Sequence, residues 1–492
     1  MGKHNEIAYF ARNCERFMSG FQKSCIIPGR GIPNQLLLDA TESGVYFGLE
    51  TDYGKNYYVG KASVCDGHVL IVGTNGSGKS AFIVKPTIET WRYPFVALDI
   101  KGELSAHYSH LQERARVERP YKVFDPNAGG VHYNPYALLK IEDPDFSQFV
   151  CEIANAIIPL PLNVREPYWV EMARNLLSGA IVYCFCKGMD FSETMAYIQV
   201  TSTSALRRQI KSSSNLLAQM FASEILDLKP EQQANIGTEM KRHTMVFATD
   251  SLIQEALSDD GHSEMFSWDC LMDAEAPNIF LKLSQDKLEQ WSGLIRLILT
   301  QLIRQLERRP DKHSAEGYDT QPLLILLDEF PMLGKMEVIT SGLATLRSKK
   351  VTFCLILQSI AQLDAVYGAD VRRIMVDNCQ YKAILNVTEP DSQEYFSKLF
   401  GSVPAGKRSV SMSAAPTMDA SFGLHVQESR EPLIFPHEFA SNRHVLLHTP
   451  YGVYCTIKLP ANVTNQPADV FSDLVSSYWE FPGAIWTLLG GI

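Results

Sequence analysis

Eight consecutive residues carry the clearest chemistry in the chain. Gly73-Thr74-Asn75-Gly76-Ser77-Gly78-Lys79-Ser80 fits the phosphate-binding pattern G-x-x-x-x-G-K-[ST]. Glycines at these positions let backbone N–H groups turn inward and cradle phosphate oxygens. Lys79 is expected to reach the β- and γ-phosphates, and the Ser80 hydroxyl to ligate Mg²⁺. The flanks agree: His68-Val69-Leu70-Ile71-Val72 reads as a strand leading in, and Ala81-Phe82-Ile83-Val84 continues a helix. A helix N-terminus behind the loop favours an anion. A chance glycine-rich turn would lack that frame, so a nucleotide with Mg²⁺ is the expected ligand.

A second constellation lies at Pro322-Leu323-Leu324-Ile325-Leu326-Leu327-Asp328-Glu329. An apolar strand ending in two acids presents carboxylates at the C-terminal edge of a sheet, where α/β folds bind ligands. Asp328 is expected to hold Mg²⁺, directly or through water, and Glu329 to polarise the attacking water. The plainer account is a solvated strand end; the phosphate loop upstream favours catalysis. A third strand, Val351–Leu357, ends in Gln358-Ser359, and an amide at that tip suits a γ-phosphate sensor. Arg347 precedes this strand and reads equally as an arginine finger or a solvated helix-end charge.

The elements that must position these groups form an α/β pattern from about Gly44 onward. His68–Val72, Pro94–Ile100, Asn278–Leu283, Leu323–Leu327, Val351–Leu357 and Tyr381–Val387 are near-continuous apolar runs, as in a parallel sheet covered on both faces. Gln290–Arg309 places Leu294, Leu297, Ile298, Leu302, Ile303 and Leu306 on one helical face. Between about Ile141 and Trp268 the strand rhythm stops. Ala173, Leu176, Leu177, Ala180 and Ile181 follow helical spacing there, after Pro159, Pro161 and Pro167. This stretch is expected to be an all-α insertion. Gly401–Pro432, rich in Ser and Ala, is expected to be a mobile loop, and His444–Pro460 a late hairpin.

Composition sets outer bounds. The 492 residues are 46% hydrophobic and 20% charged, with 45 Lys and Arg against 55 Asp and Glu, a formal charge of −10. That excludes a disordered, collagen-like or coiled-coil chain, and any nucleic-acid contact must come from a local patch. Ten cysteines without a C-x-x-C pair are too sparse for a disulfide scaffold; Cys184, Cys186 and Cys354 read as buried thiols. Leu176–Cys186, Val351–Leu363 and Phe481–Ile492 are the longest apolar stretches. None reaches the roughly 18 residues needed to span a bilayer.

Together these blocks resemble the type IV secretion coupling proteins, the TraG/TraD-like ATPases of bacterial conjugation. The resemblance covers about Gly44 to Pro460. It rests on His68–Ser80, Val84-Lys85-Pro86, the D-x-K-G-E segment Asp99–Glu103, Val123–Pro126 with Tyr133-Asn134-Pro135, and Tyr168–Leu177. Leu327–Pro331 and Ile356–Ser359, continuing to Gln362-Leu363 and Tyr367-Gly368, complete it. It implies a RecA-like P-loop NTPase motor domain with a mainly parallel sheet, interrupted by an all-α domain. By the family pattern Arg347 is the arginine reaching a neighbouring subunit's nucleotide, and Gln358 the sensor. The implied organisation is an N-terminal extension 1–43, motor segments 44–140 and 271–465 around an all-α domain 141–270, and a tail 466–492.

The expected activity is ATP hydrolysis in a homo-hexamer that drives a relaxase-bound single DNA strand, or a protein substrate, to a type IV secretion channel. Family members usually begin with transmembrane helices. The roughly forty residues before the resemblance contain no span, so the expected place is the cytoplasmic face of the cell membrane. Either a separate small membrane protein tethers the chain there, or the chain serves another machine. A duplex DNA pump and a nucleotide-switched recruitment platform without sustained hydrolysis are the alternatives. Arg207-Arg208 with Lys211, and Arg304 with Arg308-Arg309, are the densest basic clusters; solvated helix faces are their plainer account.

Overall fold

Runs of four to seven apolar residues become wholly buried strands, because only a layer covered on both faces removes every side chain from water. The computed structural model describes residues 32–38, 42–52, 55–114, 116–160, 167–226, 228–273, 275–314, 320–413, 421–442, 444–456 and 458. The expected tail 466–492 and most of the N-terminal extension lie outside the described residues. The chain divides into two units, 1–91 with 356–492 and 92–355.

In the first unit, four strands pair in the order Gly452–Thr456, Val445–Thr449, Tyr381–Ile384, Val69–Val72. Tyr381–Ile384 runs parallel to Val69–Val72, with Ile384 beside Val72, so both strands end level with the glycine-rich loop. Val445–Thr449 and Gly452–Thr456 form the expected hairpin. Leu37–Leu38, Lys55–Ala62 and Gly44–Asp52 make a separate antiparallel sheet that the apolar runs did not announce. Gly401–Pro432 departs from its expectation as a loop: Ser402–Ser413 pairs antiparallel with Ser421–Pro432. Backbone ladder bonds hold such a ribbon without the apolar alternation that betrays a half-buried strand.

Five parallel strands pair in the order Val351–Leu357, Leu323–Leu327, Phe95–Asp99, Asn278–Lys282, Tyr121–Phe124; all of their residues but Ile356 and Leu357, which count with the first unit, belong to the second. Every residue of Leu323–Leu327 and Phe95–Asp99 is buried. Asn278 ties the layers at their start: its Oδ1 accepts the Phe95 N–H at 3.1 Å and its Nδ2 donates to the Tyr108 hydroxyl at 2.7 Å. Between Tyr133 and Met265 the described residues hold seven helices and no strand. A short parallel pairing of His132-Tyr133 with Met265-Phe266 closes that helical stretch at its base. Tyr133 is sealed there against Phe266 and Trp268, and its hydroxyl donates to Gln301 Oε1 at 2.7 Å. No helix among the described residues is long and apolar enough to cross a membrane.

Candidate functional site

The strand Val69–Val72 delivers the phosphate loop at its C-terminal end. Gly73 N–H donates to the Leu357 carbonyl at 3.1 Å and Thr74 N–H to the Asn386 carbonyl at 2.8 Å, so the loop opens between two other strand ends. Two glycines lie in the left-handed region, Gly76 at φ +77° and Gly78 at φ +92°. A β-carbon on Gly73 would stand 2.5 Å from Ser77 Oγ, and one on Gly78 only 2.1 Å from the Phe82 ring. The loop then enters a wide π-type turn, Ser80–Val84, and the helix Lys85–Thr90.

The loop has the chemistry a phosphate requires. Lys79, 6% exposed, folds its ammonium onto the Gly73 and Thr74 carbonyls at 2.6 and 3.3 Å. Ser77 Oγ is buried with no hydrogen-bond partner among the described residues. Small residues, positive φ, an inward cation and an orphaned hydroxyl fit an anion better than they fit a packed turn. Gly78→Ala is expected to destabilise the protein by about 2 kcal/mol or more, since it adds left-handed strain to overpacking against Phe82. A lowered midpoint in urea, with unchanged slope, checks this.

The second unit carries the acid pair. Asp328 and Glu329, 7% and 5% exposed, follow the buried Leu323–Leu327 strand. Glu329 adopts φ +49°, ψ +39°, and its N–H donates to Asp328 Oδ1 at 3.0 Å. Left-handed geometry in a residue with a β-carbon costs about 1–2 kcal/mol. Lys101 Nζ faces Glu329 Oε1 at 3.8 Å. The D-x-K-G-E block around Lys101 is therefore divided in its tasks. Asp99 Oδ2 accepts both the N–H and hydroxyl of Ser105 at 2.8 Å, tying down the start of the helix Glu103–Glu113. Gly102 turns at φ +70° where a β-carbon would meet Lys282 Cε at 2.8 Å, and Lys282 ion-pairs with Asp125 at 2.9 Å.

Gln358 lies in the first unit, half-buried, its N–H donating to Gln362 Oε1 at 3.1 Å. Arg347 lies in the second unit on the short turn Leu346–Lys349, exposed and without an ion pair or hydrogen bond to the described residues. The Arg304, Arg308 and Arg309 cluster is not a free basic face. Arg308 pairs with Glu152 over the Phe149 ring, Arg304 pairs with Glu307, and buried Arg309 donates to the Gln321 carbonyl at 2.6 Å. Burial lowers the Arg309 guanidinium to about 10. Arg208 and Lys211 are exposed, while Arg207 donates to Gln233. Cys184 and Cys354 are buried as expected, but Cys186 is exposed at the end of its helix, where the chain leaves the core.

Two residues at the loop had no motif to mark them. Asn386 follows the Tyr381–Ile384 strand and accepts the Thr74 N–H and hydroxyl on its carbonyl. Lys458 donates to the Ser77 carbonyl at 3.2 Å and to Asn386 Oδ1 at 3.0 Å.

The family described as type IV secretory system conjugative DNA transfer matches residues 33–444. The conjugal transfer protein TraG of Escherichia coli is 24% identical over 439 residues, covering 84% of this chain and 66% of TraG. Protein VirD4 of Agrobacterium fabrum is 25% identical over 386 residues, covering 75% of this chain and 54% of VirD4. The chain thus spans about half to two thirds of these curated relatives' length. Among solved structures, the plasmid coupling protein TrwB in complex with ADP and Mg²⁺ superposes with a TM-score of 0.63 at 16% identity, covering 82% of this chain and 87% of that one. The unbound TrwB form gives 0.63 at 17% identity, over 81% and 87%. This likeness shows the fold, that of a RecA-like P-loop NTPase.

Proposed function

The chain belongs to the type IV secretory system conjugative DNA transfer family, and from that premise we propose that it is the ATP-driven coupling protein of a conjugation machine. It binds ATP at Gly73–Ser80, works as a ring of six, and delivers a relaxase-bound single strand or a protein to a secretion channel. The observation that carries this reading is the loop itself: Lys79 lies beneath a turn opened by left-handed Gly76 and Gly78 at the end of a buried strand. The conjugal transfer named for TraG and the nucleotide complex of TrwB support it.

Residue roles follow the chemistry. Lys79 and the backbone of Gly73–Gly78 hold the phosphates, and the Ser80 hydroxyl with the Asp328 carboxylate supplies the hard oxygen donors that Mg²⁺ prefers. Bound Mg²⁺ neutralises charge on the β- and γ-phosphates. Glu329 takes the proton of the attacking water, Gln358 senses the γ-phosphate, and Arg347 serves a neighbouring subunit. The motor comprises 44–140 and 271–465, with 141–270 as its all-α domain and substrate-facing candidate. The reading places the chain at the cytoplasmic face of the membrane.

Equilibrium binding of ATP to the purified chain tests the site. Lys79→Ala is expected to weaken affinity roughly 10- to 100-fold, the scale of a lost hydrogen bond to a charged group. Unchanged affinity would remove the nucleotide assignment. Tight binding with no turnover in any assembly state would instead favour a nucleotide-switched platform.

A further inference from the structure

We propose that Lys458 is a positioning residue of the phosphate loop, holding the Ser77–Gly78 peptide in the orientation that receives a nucleotide phosphate. This rests on reading Gly73–Ser80 as the nucleotide site. The Lys458 ammonium bridges the Ser77 carbonyl, 3.2 Å away, and Asn386 Oδ1, 3.0 Å away. Asn386 is itself fixed: Leu385 N–H donates to the Val72 carbonyl at 2.8 Å, and Asn386 Nδ2 donates to the Ala440 carbonyl at 3.3 Å, leaving its oxygen to Lys458.

The consequence for the loop is geometric. Every described peptide bond is trans, so a carbonyl and the following N–H point in opposite directions. With the Ser77 oxygen held by Lys458, the Gly78 N–H must face the other way. No other described residue bonds that carbonyl. Gly76 and Gly78 both occupy positive φ, where glycine moves at little cost. The Ser77 hydroxyl has no partner among the described residues, and the Ser77 N–H belongs to the preceding peptide, bonded to Thr74. Without the ammonium, rotation of the peptide turns the Gly78 N–H away from an incoming phosphate. A lysine 381 positions downstream thus sets the loop's shape.

Burial alone lowers Lys458 to about 8. Its two partners, a backbone carbonyl and an amide, do not titrate. The loop's other cation, Lys79, is turned to the Gly73 and Thr74 carbonyls. Phosphate groups are already ionised above pH 7, so raising the pH through about 8 discharges Lys458 and loosens the loop. Affinity should fall as pH rises.

The test is fluorescent-ADP binding by the full chain at pH 7 and pH 9, for wild type, Lys458→Met, Lys458→Arg and Lys79→Ala. Lys458→Met is expected to bind about 10-fold more weakly at pH 7. Wild type is expected to lose a similar factor by pH 9, and Lys458→Arg, always charged, to stay flat. Wild-type affinity in Lys458→Met, or equal pH profiles for wild type and Lys458→Arg, overturns the inference even while Lys79→Ala loses binding. If wild type fails to bind, or Lys79→Ala binds normally, the nucleotide reading fails first. Should Lys458→Met not fold, the comparison of wild type with Lys458→Arg decides.

Discussion

Replacing Arg347 with Ala is expected to lower ATP turnover by the assembled protein ~10³–10⁵-fold, with nucleotide affinity within a few-fold of wild type. The size of the effect is that of an arginine supplied to a neighbour's transition state. Exposure fits both readings of Arg347, a finger acting in trans and a solvated helix-end charge, and turnover separates them. Arg347 is exposed, and no described residue bonds to it. Its turn is anchored instead by buried Leu346 and closed by Lys350 at φ +56°. Arg309 shows what a structural arginine in this unit looks like: buried, and donating to the carbonyls of Gln321 and Lys349. Stability should therefore change by no more than about 0.5 kcal/mol in Arg347→Ala. Mixing provides the decisive measurement. Lys79→Ala chains keep Arg347 but cannot use nucleotide, and adding them to Arg347→Ala chains should restore part of the lost turnover. Equal turnover by Arg347→Ala and wild type at every protein concentration would refute a role in trans.

What the sequence disclosed and what it hid divide along a physical line. Leu323–Leu327 and Val351–Leu357 match their runs residue for residue, because a strand buried on both faces is apolar at both its ends. The Gly73–Ser80 turn was legible because its geometry is local, eight residues whose glycines and lysine act on one another. Ser402–Ser413 and Ser421–Pro432 were not, since their pairing lies in backbone bonds that composition does not record. Arg304, Arg308 and Arg309 looked like one basic patch, yet their partners Glu152, Glu307 and Gln321 are supplied by folding. Asn386 and Lys458 reach the loop only through tertiary structure, from residues 312 and 381 positions beyond Thr74 and Ser77 respectively. No spacing rule spans such distances.

Glu329→Gln is expected to bind ATP with near wild-type affinity and to hydrolyse it ~10²–10⁴-fold more slowly, the range for loss of a positioned general base. Glutamine keeps the volume and one carbonyl oxygen of the side chain but cannot take a proton. The fold spends strain to place this residue: an L-residue at φ +49° directly after a wholly buried strand, its N–H held by the Asp328 carboxylate. Strain of this kind persists where surrounding structure enforces it, and it gathers at functional positions. Neighbouring Asp99 supplies the contrast, an acid at the end of another strand whose Oδ2 is given over to Ser105. Lys101 Nζ lies 3.8 Å from Glu329 Oε1, on a side chain 47% exposed. Loss of that long, solvent-screened ion pair should barely move the unfolding midpoint. A loss of turnover with unchanged stability and retained binding would therefore be chemical. Single-turnover measurements on Glu329→Gln, with unhydrolysed ATP recovered from the protein, make the distinction. A variant that hydrolyses at the wild-type rate would show that the water is activated by another group, and Asp328 would then be the carboxylate to replace.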